Sequence, residues 1–587
     1  MFDIIIRDGT VIDGTGAPPV KRDIAIRDGL IVETGSVSGD AKEVIDAHGA
    51  IVTPGFIDIH THYDGQFVWD SELEPSFSNG VTTAIAGNCG VGFAPVKPEH
   101  RTQLVEMMEG VEDIPGIVLD EGLDWSWRTF PDYLNRLAAR RFTMDVAAHL
   151  PHAPLRVFVM GERALAHERA TDEDLSQMQH IVREAMAAGA VGVSLSRILE
   201  HKTIKGEHVP GTFAEDRELL AIAEAMGQTG RGVLQIVPLG TSGDTVGTQI
   251  PTEERLLEHE RFERLAQACG RPVTYLLHSH NHAPQEWRQM IDASVSAGGR
   301  GLPIRPQVAA RGVGLLLALD GYHIFQARPS YMEIAHLPRV ERARAMRDPD
   351  RRGAILSEAN FAQEAAPSRR IHGLAERFAK VLDRYYVMKP PIDYEPTPDT
   401  RLDHIAEATG RTMADVLYDT LAEGDGGNLA ADFAMNYTDS SLDAVHDMLA
   451  HPLTVSGLGD GGAHLQMISD AAMTTFHLSF WARSRKRGPT LPLEAMVHKL
   501  TGNQADLYGL DDRGVIAPGK RADINVIDFA QLDNVQPEMV FDLPLGSSRF
   551  VQRASGYRVT LVNGVVTRRD DRDTGARPGR LMRGAPR

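Results

Sequence analysis

Cysteine is nearly absent: 587 residues hold only Cys89 and Cys269. Two cysteines give no disulfide framework and suit a reducing cytosol. Also missing is any run of about 18 apolar residues able to span a bilayer. The N-terminus, Met1-Phe2-Asp3-Ile4-Ile5-Ile6-Arg7-Asp8, lacks the basic-then-apolar order of a signal peptide. These absences make a cytoplasmic location and no membrane partner the expectation. Positive charge is scarce: 61 Lys and Arg against 80 Asp and Glu leave a net charge of −19. That balance disfavours nucleic acid as a partner and favours solubility, without identifying a substrate. No clear short-period repeat is present.

The composition, 42% apolar and 24% charged, is that of a globular enzyme. The length exceeds one ordinary core, so a large catalytic domain with a smaller one is expected. Residues 2–52 read as short strands (Ile4-Ile5-Ile6, Val11-Ile12, Ile24-Ala25-Ile26, Leu30-Ile31-Val32) separated by hairpin turns such as Arg7-Asp8-Gly9 and Arg27-Asp28-Gly29. Such a unit cannot cover both its faces alone. Strand-turn-strand patterning returns over 513–528 and in the Asn563-Gly564 hairpin. We therefore expect both termini to build one discontinuous β-sandwich, from residues 1–53 and 509–587. Between them, over 54–508, apolar runs (Val81 to Ala86, Met144 to Leu150, Val191 to Leu195, Val233 to Val237, Val273 to Leu277, Leu453 to Ser456) alternate with amphipathic helical stretches (Glu173 to Ala188, Asp216 to Met226, Glu254 to Ala268, Pro284 to Ala297). This alternation predicts an α/β fold with a parallel sheet.

Two insertions interrupt it. Residues 98–135 carry Met107-Met108, Trp125, Trp127 and Phe130 among acids and glycines. They read equally as a wall of a substrate cleft and as a surface elaboration. Residues 335–400 are basic from Arg339 to Arg352, the pattern of a solvated helical face or of a contact in a homo-oligomer. The arginine-rich end, Arg568 to Arg587, reads as a flexible tail or one that docks on a neighbouring subunit.

Chemistry concentrates in Pro54-Gly55-Phe56-Ile57-Asp58-Ile59-His60-Thr61-His62. A short apolar strand follows the Pro-Gly break, and His60 and His62 sit where it ends. Residues i and i+2 of a strand point to one side, so the two imidazoles project together, as ligands of one divalent metal would. The alternative is two polar residues opening a loop. A Gly-Asp-Gly-Gly-Ala-His segment far downstream, at 459–464, favours the metal.

This Pro-Gly-Phe-Ile-Asp-x-His-x-His stretch resembles the first-strand motif of the amidohydrolase superfamily, most closely its N-acyl-D-amino-acid deacylase branch. The resemblance runs over nearly the whole chain. It implies a (β/α)₈-type barrel beside the β-sandwich, with chemistry at the C-terminal ends of the strands. Cys89, in Gly87-Asn88-Cys89-Gly90, takes the place of a zinc-ligating cysteine; otherwise it is a small buried hydrophobe. Asp460 matches the eighth-strand aspartate, which contacts metal, takes a proton from water and passes it to the leaving nitrogen. The short-form deacylases carry a histidine at strands five and six. The fifth place here holds Gln235, a poor zinc ligand. The sixth holds His278, Ser279, His280, Asn281 and His282, of which His278 and His280 are the candidate ligands, or else a polar loop. One tightly bound Zn²⁺ is therefore expected, and the gap leaves a second ion open. His152 is a candidate for contact with substrate or equally a packed loop histidine. Arg311 could pair with a substrate carboxylate or form a structural ion pair.

The implied activity is zinc-dependent hydrolysis of a linear amide in a small N-acyl substrate, releasing a carboxylic acid and a D-amino acid. Hydrolysis of another C–N bond (cyclic imide, hydantoin, carbamate) is the runner-up. A metal-binding scaffold without activity is the alternative from another class.

Overall fold

Short runs of branched and small apolar residues, buried on both faces, form the centre of the molecule, as strands covered by helices on one side and closed on themselves on the other must be. In a computed structural model of the chain, which describes residues 1–241, 249–361, 369–467 and 470–584, eight such strands follow one another: β1 Phe56–Asp58, β2 Val81–Ala86, β3 Asp145–Ala148, β4 Gly192–Ser196, β5 Val233–Val237, β6 Val273–Leu276, β7 Ile304–Val308 and β8 Val455–Ser456. The ladders are parallel within β1–β2–β3 and within β4–β5–β6–β7–β8. Val191 N–H donating to the Ala148 carbonyl (3.1 Å) joins the two groups. A parallel bridge from Thr61 to Gly461 closes the ring. This is a (β/α)₈ barrel.

Strand β7 is missing from the sequence expectations. Its segment, Leu302-Pro303-Ile304-Arg305-Pro306-Gln307-Val308, carries two prolines, and proline argues against a central strand. It nonetheless pairs with β6 on one side and β8 on the other.

The terminal segments share one sheet. Ile524–Ile527 runs antiparallel to Ile51–Pro54 on one side and to Tyr557–Val562 on the other. Ile51–Pro54 continues into Phe2–Val11, Val20–Arg27 and Leu30–Gly35. The sheet curls until Ile31 N–H reaches the Lys520 carbonyl (2.8 Å). Ile6, Ile26, Val52, Ile524, Val526 and Leu561 meet in the core so enclosed.

The excursion after β2 holds three helices, Arg101–Glu112 (α1), Gly116–Gly122 (α2) and Phe130–Ala138 (α3). Its aromatics pack inward: Trp127 is buried and donates from Nε1 to the Phe93 carbonyl at 2.8 Å. The excursion between β7 and β8 is wider than the 335–400 span expected. It contains an antiparallel sheet of Val313–Ala318, Leu429–Met435 and Tyr385–Met388, the helix Arg369–Ala379 (α4), and a core of its own around Phe325, Phe378, Tyr385 and Tyr418; residues 362–368 lie outside the described residues. Several of its arginines are paired within the chain, Arg352 with Asp415 and Asp419 (both 2.9 Å) and Arg351 with Glu333 (3.0 Å). The C-terminal segment also docks on its own chain, along β3, and residues 585–587 lie outside the described residues. No described helix is long and apolar enough to cross a membrane.

Candidate metal centre and active-site cavity

Beyond Asp58 the chain stays extended because both neighbours hold it. Thr61 N–H donates to the Ile85 carbonyl (3.1 Å), His62 N–H to the Gly461 carbonyl (2.7 Å), and Asp460 N–H to the His60 carbonyl (2.9 Å). Strand alternation therefore persists past the end of β1, and both imidazoles face the barrel mouth, their ring centroids 5.4 Å apart.

Cys89 completes the group. One donor atom each from His60, His62 and Cys89 lies within 4.8 Å of the others, and all three residues are buried. His60 Nε2 is 3.2 Å from Cys89 Sγ. Its other nitrogen, Nδ1, is 3.1 Å from Gln307 Oε1 on β7, so the Nδ1–H tautomer leaves Nε2 free to ligate. Burial holds His60 down to about 4 and His62 well below the usual histidine value, which keeps both rings in the neutral, ligating form. Burial pushes the Cys89 thiol well up, with Glu112 and Asp460 adding to the effect. A divalent cation would oppose that burden, since a coordinating thiol is deprotonated outright. The donor set therefore fits a divalent metal.

The glycines beside Cys89 serve neighbouring backbone. A Cβ on Gly87 would lie 2.4 Å from the His149 carbonyl oxygen, and one on Gly90 3.0 Å from Ser196 N. Cys89 itself is left-handed, φ +55°. Gln235, which stands on β5 where the related deacylases are expected to carry a ligand, fixes this turn: its Oε1 accepts the Cys89 N–H at 3.0 Å.

Asp460 lies beside the two imidazoles. Its Oδ1 is 3.4 Å from His60 Nε2 and 3.7 Å from His62 Nε2, and its side chain still reaches solvent. It touches both imidazoles without joining the three donors that converge within 4.8 Å. The glycines around it are contact-driven: a Cβ on Gly459 would lie 2.1 Å from Asp58 Oδ2, and Gly462 has φ +89° with the His62 carbonyl 2.9 Å from where its Cβ would stand. Asp460 and His464 are themselves left-handed, φ +45° and +51°, conformations that persist only where surrounding structure enforces them.

Sequence reasoning missed Glu112, the last residue of α1. Its carboxylate is buried, with Oε1 3.3 Å from His62 Nδ1 and Oε2 3.6 Å from His464 Nε2. Desolvation raises it well above the usual carboxylate range, with Asp460 and Asp64 adding to the rise.

These groups line a cavity of about 240 Å³ whose other walls include Val111, Leu315, Phe378 and Met435, with His201 and Arg377 as polar members. His278 lies in the wall but outside the three-donor cluster; burial holds it down to about 3. His280 is not a lining residue. Strand β6 ends at Leu276, so alternation lapses in the loop and the His280 ring stacks on His282, centroids 5.5 Å apart. His152 also faces elsewhere: it opens a helix, and its Nε2 is 2.7 Å from buried Glu218, which Arg156 also contacts (3.0 Å). Arg311 donates to Gln552 Oε1 (3.2 Å) and lies over the Tyr394 ring at 4.1 Å, away from the cavity lining. Arg377, on α4, is the arginine that lines the cavity among the described residues.

With this geometry in place, residues 43–568 match the Amidohydrolase family. The chain belongs to the amidohydrolase family. It is a metal-dependent hydrolase of carbon–nitrogen bonds other than peptide bonds. This amidohydrolase is 26% identical to a D-aminoacylase of Alcaligenes xylosoxydans xylosoxydans over 99% of this chain and 97% of that one. It is 27% identical to an N-acyl-D-glutamate deacylase of the same organism, over 99% and 96%. Its fold is that of the N-acyl-D-glutamate deacylase of Bordetella bronchiseptica solved with zinc and a phosphonate inhibitor: the TM-score is 0.62 at 23% identity, covering 99% of each chain.

Proposed function

We propose that this amidohydrolase is a zinc-dependent deacylase of N-acyl-D-amino acids. The observation that carries the reading is the convergence of His60, His62 and Cys89 within 4.8 Å, with the Asp460 carboxylate 3.4 Å from His60. A thiolate with two imidazoles is a donor set that selects zinc over harder cations. Gln235 supports a single tightly held ion, because its carbonyl oxygen is engaged by the Cys89 amide. When bound there, zinc supplies Lewis acidity toward the scissile carbonyl and makes a water more acidic.

The protein's own groups manage the proton and the substrate. Asp460, whose side chain keeps a small opening to solvent, takes a proton from the attacking water and returns it to the departing amine. One carboxylate thus acts as base and then as acid. Arg377 is placed to pair with a substrate carboxylate, the role sequence reading gave to Arg311. The apolar walls around it suit an apolar acyl or side-chain group. The D-specific relatives support the stereochemistry.

The experiment is elemental analysis of the purified protein coupled to a panel of N-acyl-D- and N-acyl-L-amino acids, hydantoins, cyclic imides and carbamates. One zinc per chain with turnover confined to N-acyl-D-amino acids is expected. Turnover of a cyclic substrate alone would replace the substrate class. Stoichiometric zinc without any hydrolysis would favour a scaffold.

A further inference from the structure

The two imidazoles of the metal centre are not held alike. His60 is oriented through Nδ1 by a residue of the barrel itself, Gln307 of β7. Among the described residues, the barrel offers His62 Nδ1 no such partner. The group facing its Nδ1 is Glu112, which belongs to the first insertion and is 1% exposed.

From these placements, and resting on the zinc reading above, we infer that Glu112 is a positioning residue of the metal centre: its carboxylate accepts from His62 Nδ1–H and His464 Nε2–H, fixing His62 with Nε2 toward the ion.

Three observations and one general rule support this. The 3.3 Å spacing is just beyond a good hydrogen bond, and a small rotation of either group closes it. His62 Nδ1 and Glu112 Oε1 are both buried side-chain atoms without a hydrogen-bond partner among the described residues, so each lacks what the other offers. The adjoining chain sets the same geometry, because His464 N–H donates to the Glu112 carbonyl at 2.5 Å and Gln466 N–H to the side-chain Oδ2 of Asp113 at 3.3 Å. The end of α1 is thereby fastened to the loop that carries Asp460. Finally, an acceptor on the Nδ1–H of a metal-ligating imidazole fixes its tautomer and ring orientation, which leaves His62 Nε2 for the ion. The first insertion then belongs to the apparatus that holds the metal, and not only to the cavity wall.

The test is zinc affinity, by competition with a chromophoric chelator, for wild type, E112Q and E112A, with the visible spectrum of each cobalt-substituted protein. Outer partners of this kind are worth about 10- to 100-fold in metal affinity. E112A is expected to lose that much. E112Q, whose amide oxygen still accepts from Nδ1–H, should recover most of it, with cobalt bands at wild-type positions in all three because the donor atoms are the same. Unchanged affinity in E112A would overturn the assignment. So would equal loss in E112Q and E112A with displaced cobalt bands, which would make Glu112 a ligand. If wild type itself binds no zinc, it is the metal reading that fails.

Discussion

Asp460 can be separated from the metal by a single atom. Asp460→Asn keeps the shape of the side chain and removes the base. Because His60, His62 and Cys89 converge without it, the variant should retain zinc while kcat falls by about 10²- to 10⁴-fold, the usual worth of a positioned general acid–base. Steady-state kinetics with metal analysis on the same sample checks both halves; near-normal turnover with zinc bound would remove Asp460 from the chemistry. A second residue, Lys499, sits at the N-terminal end of β8. Its Nζ donates to the carbonyls of His451 (2.7 Å) and Thr454 (2.6 Å), yet burial lowers its pKa from 10.5 to about 7. Between those values the unfolded chain binds the proton that the folded chain has released, so folding is favoured increasingly as pH rises through the window. Wild type should therefore gain stability relative to Lys499→Met between about pH 7 and about pH 10. Urea midpoints of both proteins at the two ends would show it; parallel behaviour would mean the lysine is not depressed. At this scale the sequence was legible where a motif is contiguous. His60 and His62 share a strand, and Cys89 ends the next one. Gln307 and Glu112 were not legible, because only the closure of the barrel and the packing of an insertion bring them beside His60 and His62.

Two glycines near helix ends show how differently one residue type can matter to an element. Gly110 of α1 faces backbone: a Cβ there would stand 2.2 Å from the Lys202 carbonyl oxygen and 2.5 Å from the Thr203 carbonyl carbon. Neither can yield as a flexible side chain would. Gly110→Ala should push α1 off the 201–208 loop at a cost of about 1–3 kcal/mol, and because Glu112 is two residues on, zinc affinity should fall with it. A Cβ on Gly298, in the helix Glu286–Gly299, would meet no atom of the described residues within 4 Å. Gly298→Ala should stabilise by about 0.4–1 kcal/mol and leave the metal untouched. Denaturant midpoints and zinc titration of the pair check this, and equal effects would refute it. Element existence was read well where apolar runs are uninterrupted, as in β2 and β5. It failed at β7, where Pro303 and Pro306 mimic a loop, because a neighbouring strand on each side outweighs local propensity. The wide excursion after β7 was under-read for a related reason: its strands pair with one another across long separations, and nothing local marks where the barrel stops.

The molecule as a whole is tied together by its ends. One sheet needs residues from both termini, so neither β unit can be removed without uncovering the other. The final segment goes further and straps the barrel. Gly579 exchanges backbone hydrogen bonds with Phe142 (3.0 and 2.9 Å), Met582 N–H donates to the Val146 carbonyl (2.7 Å), and Gly584 N–H to the Gly189 carbonyl (2.9 Å). Leu581 is buried. An arginine-rich end suggests a flexible tail or one docked on a neighbouring subunit, because charge dominates its composition; the few apolar and glycine positions that dock it on its own chain, Gly579, Leu581 and Gly584, are too sparse to form a pattern. The strap crosses β3 at its N-terminal half, whereas the metal centre sits at the opposite, C-terminal ends of the strands, so stability and catalysis should separate. Deleting residues 578–587 uncovers Leu581's site and part of β3, worth about 1.5–3 kcal/mol for the leucine alone. The thermal midpoint should fall by several degrees while kcat of the folded enzyme at moderate temperature stays at the wild-type value. Calorimetry beside kinetics decides between this and the alternative: a midpoint that does not move would make the tail a passive appendage, and a kcat that falls in step would mean the strap acts through the barrel on the site.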